Sequence, residues 1–161
     1  MPIPTRAYTH SLTQMTEYVL PQHANAIGSV FGGQIMAWVD LCAAIAAQRH
    51  SGKQCVTAFV DDLQFQEPVR VGEVVRLTAR LNAAFRTSME IEVIVEGEDS
   101  KTGRSWPCVK ALVVFVAVDE KRTPTEIAPL LLTSDDDKAR AKAATERRDT
   151  RLANRPARSV S

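Results

Sequence analysis

The chain has 161 residues, 45% of them hydrophobic and 24% charged, with a formal net charge of +1. That is enough for one domain with a real core plus a tail, in the balance of a globular protein, and it offers no global charge for binding nucleic acid. No apolar run reaches the roughly 18–20 residues that span a bilayer, so no membrane insertion is expected. The start Met1-Pro-Ile-Pro-Thr-Arg6 also lacks the basic-then-apolar layout of a secretory leader, so a cytoplasmic location is expected.

Residues 8–19 are rich in β-branched and aromatic side chains and predict a first strand, ended by Pro21. A polar stretch from Gln22 to Gly33 then makes a loop. From Gly33 to His50 the composition changes to alanine and large aliphatics, and Ser51-Gly52 supplies a stop signal, which predicts a helix of about five turns. This helix is apolar almost all round, so other structure is expected to wrap it. One carboxylate, Asp40, sits in that apolar wall.

Four strand-like runs follow. Residues 54–60 form the first and continue to Phe65, after which Pro68 and Gly72 mark a turn. Residues 73–82 alternate, with Val75, Leu77, Ala79 and Leu81 on one face. Residues 88–96 do the same with Met89, Ile91, Val93 and Val95. The run 105–118 is nearly all apolar, as expected of a central strand. The order predicts an α+β domain over residues 1–132, an antiparallel sheet of five to six strands wrapped around one long central helix.

From Thr133 the character changes. Residues 133–161 carry 8 basic and 5 acidic side chains, against 12 and 14 in residues 1–132. Asp135-Asp136-Asp137 suit a helix N-terminus, but Lys138 to Arg148 contain no large aliphatic. A charged tail is expected, as a solvated helix or disordered, open to an acidic partner. Cys42, Cys55 and Cys108 are widely spaced among apolar neighbours and read as buried reduced thiols. His10, His23 and His50 show no zinc spacing, and Asp61-Asp62 reads as a strand-end ion pair rather than a metal site. There is no Gly-x-Ser-x-Gly, and Gly32-Gly33 lacks the Lys-Ser/Thr of a phosphate loop.

One segment carries chemistry. His23-Ala-Asn-Ala-Ile-Gly-Ser-Val-Phe-Gly-Gly-Gln-Ile-Met-Ala-Trp-Val-Asp40 resembles the signature of the hotdog-fold acyl-CoA thioesterases of the bacterial medium- and long-chain and brain acyl-CoA hydrolase group. The matching residues are Asn25, Gly28, Phe31 before Gly32-Gly33, and Asp40 seven residues beyond the second glycine. Weaker echoes follow in order at Phe65–Glu73, Phe85–Met89 and Phe115–Asp119. The resemblance covers about residues 8–130 and leaves out the tail. Ile27 and Ser29 depart from it, at positions where the family often has small polar or acidic residues.

The resemblance implies hydrolysis of fatty acyl-CoA, with coenzyme A as part of substrate and product and no further cofactor. Thioester hydrolysis needs a base or nucleophile, and donors where the carbonyl oxygen gains charge. Asp40 suits the first task, as base on water or as direct nucleophile. Asn25 can hold the water or the carbonyl, and Gly32 and Gly33 leave a helix N-terminus bare for an oxyanion. Arg86, Thr87 and Ser88 are candidates for the nucleotide end of coenzyme A, with Arg104, Lys121 and Arg122 in loops nearby. Met36, Trp38 and Phe59 are candidates for the acyl slot.

Gly33 and Asp40 lie on one helix face but about 10 Å apart along the axis. One carbonyl cannot easily sit at both, which makes a monomeric enzyme hard to draw. The resemblance implies a site shared between two chains, so at least a dimer is expected, with a trimer of dimers as the larger assembly. The competing readings are an acyl-CoA-binding sensor that does not need Asp40 and a hydratase. A hydratase generally places a histidine on or near the helix, whereas His50 stands at its far end.

Overall fold

The computed structural model describes residues 2–156. In chain order the elements are β1 (Arg6–Ala7), β2 (Thr13–Tyr18), α1 (Gly32–Ser51), β3 (Gln54–Phe65), β4 (Val74–Ala84), β5 (Ser88–Glu98), β6 (Ser105–Val118), β7 (Leu130–Leu131) and α2 (Asp135–Ala153). Alternation sets the faces of the sheet: Val75, Leu77, Ala79, Leu81, Met89, Ile91, Val93 and Val95 are each at most 1% exposed. The five long strands pair antiparallel in the order β2-β4-β5-β6-β3. β6, the most apolar, is interior and β3 is an edge. β1 and β7 form a separate two-residue parallel pair.

The sheet wraps α1, which buries Ile35, Trp38, Val39, Cys42, Ala43, Ala46 and Ala47 against it. Gly52 ends the helix at φ +67°, a left-handed conformation that costs glycine nothing.

Four features differ from the sequence expectations. Residues 8–10 of the predicted first strand form a 3-10 turn, because the Tyr8 carbonyl accepts from the Ser11 and Leu12 amides. Secondly, α1 is not covered all round. Met36 (44% exposed), Leu41 (54%) and Ile45 (36%) form a broad outward stripe, Leu41 and Ile45 one turn apart, and Asp40 lies exposed within it, one turn beyond Met36. The apolar wall around Asp40 therefore exists, but its own chain does not bury the carboxylate. Thirdly, Cys55 is half-buried, while Cys42 and Cys108 are buried. All three are free thiols, and burial pushes Cys42 and Cys108 up to about 11.

The fourth is the tail. Residues 135–153 are neither disordered nor solvated all round, since α2 docks on the side of the sheet opposite α1. Ser134 caps it by accepting from the Asp137 amide. Asp137 accepts from the Thr133 amide, which holds its carboxyl below the usual range, and it pairs with Arg80 at 2.7 Å. Arg140 reaches Glu92 at 2.9 Å, and Arg147 forks onto Glu90, which is 0% exposed. The acidic partner of this basic segment is the chain's own sheet, and ions replace the missing large aliphatics. Residues 157–161 of the expected tail lie outside the described residues. Among the described residues no helix is long and apolar enough to cross a membrane.

Candidate active site

The loop before α1 is built around Asn25. Its Oδ1 accepts from the Ile27 and Ser29 amides at 3.1 Å each, and its own amide donates to Ser29 O. Gly28 takes the positive φ (+83°) that closes this turn. The turn fixes the side chain by its oxygen, and Nδ2 makes no hydrogen bond among the described residues. Val30 N donates to Val69 O at 2.8 Å, which ties the loop to the turn after β3.

Phe31 precedes α1 without a side-chain cap. The Gln34 and Ile35 amides reach Phe31 O, while those of Gly32 and Gly33 have no partner among the described residues. They are bare donors at the positive end of the helix. Both positions are tight: a Cβ at Gly32 would lie 3.3 Å from the Phe65 ring, and one at Gly33 3.0 Å from the Phe31 ring. Asn25 and Gly32 line one cavity of about 420 Å³.

Asp40 does not line that cavity. It stands two turns along α1, where Thr57 Oγ1 of β3 donates to its Oδ1 at 2.6 Å. Arg49 and Lys53 do not neutralise it. Arg49 donates to Leu12 O and Thr13 Oγ1, and Lys53 to Thr125 Oγ1. Thr57 was not legible as a site residue, because a threonine in a strand is ordinary and its partner is 17 positions away. The β3–β6 register sets Thr57, Val60 and Leu63 opposite Phe115, Val113 and Ala111, so these three share the core face. Val60 is nonetheless 45% exposed, since no strand flanks β3 on its outer side.

Arg86, Thr87 and Ser88 form the hairpin between β4 and β5, closed by Phe85 N to Ser88 O at 2.7 Å. Arg86 lies 3.7 Å from Glu126, with both side chains exposed. Thr87 and Ser88 line a separate, larger cleft of about 1200 Å³ with Phe59 and Arg147, Arg148 and Arg151 of α2. Arg104 stacks on Trp106 instead of joining them.

The acyl-slot candidates are not brought together. Trp38 is buried edge-on to His23, Met36 lies on the outward stripe, and Phe59 is under Arg151 in the larger cleft. Asp61 pairs with Arg151 at 3.7 Å. His50 is buried, with Nε2 2.7 Å from Ala128 O, and burial lowers its pKa. No group of three His, Cys, Asp or Glu side chains placed to hold a metal occurs among the described residues.

The profile of the thioesterase superfamily matches residues 27–104. A solved hexameric acyl-CoA thioesterase has 31% identity and a TM-score of 0.88, covering 95% of this chain and 100% of that one. The chain belongs to the thioesterase superfamily. Its fold is the hotdog fold of that superfamily, a curved antiparallel sheet around a long helix. Mouse acyl-coenzyme A thioesterase 11 is 38% identical over 139 residues, 86% of this chain, yet the chain spans only 23% of that relative's length. The acyl-CoA hydrolase of Staphylococcus aureus, solved with butyryl coenzyme A, coenzyme A and coenzyme A disulfide, has 29% identity and a TM-score of 0.85. The match covers 93% of this chain and 92% of that one. That superfamily member has also been solved with an aspartate, an asparagine or a threonine replaced by alanine.

Proposed function

We propose that this chain hydrolyses fatty acyl-CoA to free fatty acid and coenzyme A, using water activated by Asp40 at sites shared between two copies. The observation that carries this reading is the split of the machinery. The donors, Asn25 Nδ2 and the Gly32 and Gly33 amides, stand at the start of α1. The carboxylate stands two turns on, in an exposed apolar stripe. The stripe of Met36, Leu41 and Ile45, with Val60 beside it on β3, is a surface a second copy would cover. Antiparallel packing of two α1 helices brings the Asp40 of one copy to the donors of the other and makes two equivalent sites. The hexameric relative supports a trimer of such dimers.

In this mechanism the water oxygen attacks the thioester carbon as Asp40 takes a water proton. The carbonyl oxygen becomes an oxyanion facing the Gly32 and Gly33 amides. As the tetrahedral intermediate collapses, the carbon–sulfur bond breaks and coenzyme A leaves as thiolate, to be protonated by Asp40 or solvent. Thr57 holds the carboxylate in place, and the dimer contact would remove it from bulk water. The aspartate, asparagine and threonine replaced in the Staphylococcus aureus hydrolase have the same separations along their chain as Asn25, Asp40 and Thr57 here, which supports these roles.

Arg86, Thr87 and Ser88 serve the nucleotide end of coenzyme A, a reading supported by the arginines beside Thr87 and Ser88 in the larger cleft. No resident cofactor enters the scheme. The three free thiols fit the reducing cytoplasm, where fatty acid metabolism would supply the substrate.

Turnover of an acyl-CoA series, followed by free thiol, tests the reading. Asp40→Ala and Asn25→Ala should each lose about 100-fold or more in kcat. Unchanged rates in both would refute the site, and an active monomer in sedimentation would refute its sharing.

A further inference from the structure

We infer that the cavity between the Asn25 loop, the start of α1 and the turn after β3 receives the acyl chain, and that Cys108 at its floor limits the chain length accepted. This rests on the thioesterase reading and adds where the hydrocarbon goes.

The cavity volume, about 420 Å³, falls within the ~300–1,000 Å³ usual for small-molecule sites. Its lining changes character with depth. At the rim stand Asn25, whose Nδ2 has no partner among the described residues, Ile27 (79% exposed) and Phe65 (54%). The charged side chains Glu67 and Arg70 are also exposed. At the floor are Ile35 (2%), Val69 (1%) and Cys108 (4%), with Ser29 (6%) as the one buried polar side chain of the lining and no charged group among them. A space with amide donors at its mouth and hydrocarbon walls below fits a molecule with one polar carbonyl and an apolar tail. Coenzyme A's phosphates would find no charged partner at that floor, and the Ser29 hydroxyl is its single polar side-chain group.

Gly32, whose amide is one of the proposed oxyanion donors, also lines this cavity. A thioester carbonyl held there therefore starts its acyl chain at the cavity's mouth. The Met36, Trp38 and Phe59 slot expected from sequence offers no such continuity, since none of the three lines this space.

Cys108 is the limiting contact because of what it is and where it sits. It belongs to interior strand β6, and its carbonyl accepts from Gln66 N at 2.8 Å, which ties the cavity's turn to a strand that cannot move aside. Its thiol is the smallest side chain of the Ile35, Val69 and Cys108 floor, so bulk added there projects into the cavity. A methylene gained or lost in an apolar pocket is worth about 10- to 200-fold in kcat/KM.

The test compares kcat/KM for straight-chain acyl-CoAs from acetyl to palmitoyl in wild type and Cys108→Phe. Melting curves and sedimentation check fold and assembly. The expected result is a loss of roughly tenfold or more for the longer chains, with the shortest nearly unaffected, so that the optimum moves to shorter acyl groups. Cys108→Val is a smaller enlargement suited to a strand. It should shift the profile the same way, and it carries the test if the phenylalanine variant does not fold.

An equal change at every chain length, or no change, in a folded variant overturns the proposal while the thioesterase reading stands. A selective change in inhibition by free coenzyme A, with the length profile intact, also overturns it and assigns the cavity to the pantetheine arm. Failure of wild type to hydrolyse any member of the series defeats the thioesterase reading itself, and this inference with it.

Discussion

Arg147→Met perturbs the docking of α2 at the fully buried carboxylate of Glu90. Arg147 Nη2 donates to Glu90 Oε1 at 2.6 Å and Nε to Oε2 at 3.0 Å, and Glu90 is fully buried. In the variant Glu90 keeps only the Asn82 amide at 3.0 Å. Removing one partner of a buried ion pair costs about 3–5 kcal/mol. The Arg147 side chain is 31% exposed, so water replaces part of the loss and the figure falls to roughly 2–3 kcal/mol. For a chain of this size that is about 5–10 °C in Tm.

Urea denaturation followed by the fluorescence of Trp38 and Trp106 measures it, at fixed protein concentration so that the proposed assembly contributes equally throughout. Adding Glu90→Gln should recover most of the loss, since a neutral amide can pair with Asn82 without a buried charge. A variant within about 0.5 kcal/mol of wild type would sink the account of α2 as an ion-docked helix. So would a double variant no more stable than Arg147→Met alone.

Thr57→Val should lower kcat about tenfold with KM little changed, because it removes one hydrogen bond to the charged Asp40 from an exposed donor. A free-thiol assay checks this, and an unchanged kcat would leave Thr57 a strand residue only. His50 predicts a pH effect on stability. Burial lowers its folded pKa below the ordinary 6.5, so the unfolded chain takes up the proton first. Stability is then complete above about pH 6.5 and falls as pH drops from there until the folded value is passed. Melting temperatures between about pH 7 and 5 should fall less steeply in His50→Gln; parallel curves would remove His50 as the cause.

Much of this protein was legible locally. The two-residue alternation of β4 and β5 assigned Val75 to Leu81 and Met89 to Val95 to the core, because a strand's geometry leaves no other face for them. The change to alanine and aliphatics, closed by Ser51-Gly52, bounded α1 within a residue at each end. Asn25, Gly32, Gly33 and Asp40 could be named as candidates because their segment resembles the thioesterase signature and their residue types suit the chemistry it implies. Which way α1 turns was not legible. A helix apolar on every side has no period to orient it, and only packing against the sheet decides that Ile35, Trp38 and Cys42 go in while Met36, Asp40 and Leu41 face out.

The same limit hid three further features: the Thr57–Asp40 bond, the floor of the cavity and the docking of α2. Their partners are far apart in the chain, as with Arg147 and Glu90 at a separation of 57. Residue type and spacing alone determined the elements and their faces, because those follow from backbone geometry over a few residues, while the candidate segment was marked by its resemblance to the thioesterase signature. Tertiary structure decided what each exposed or charged group meets, because that depends on contacts the chain makes only when distant segments pack.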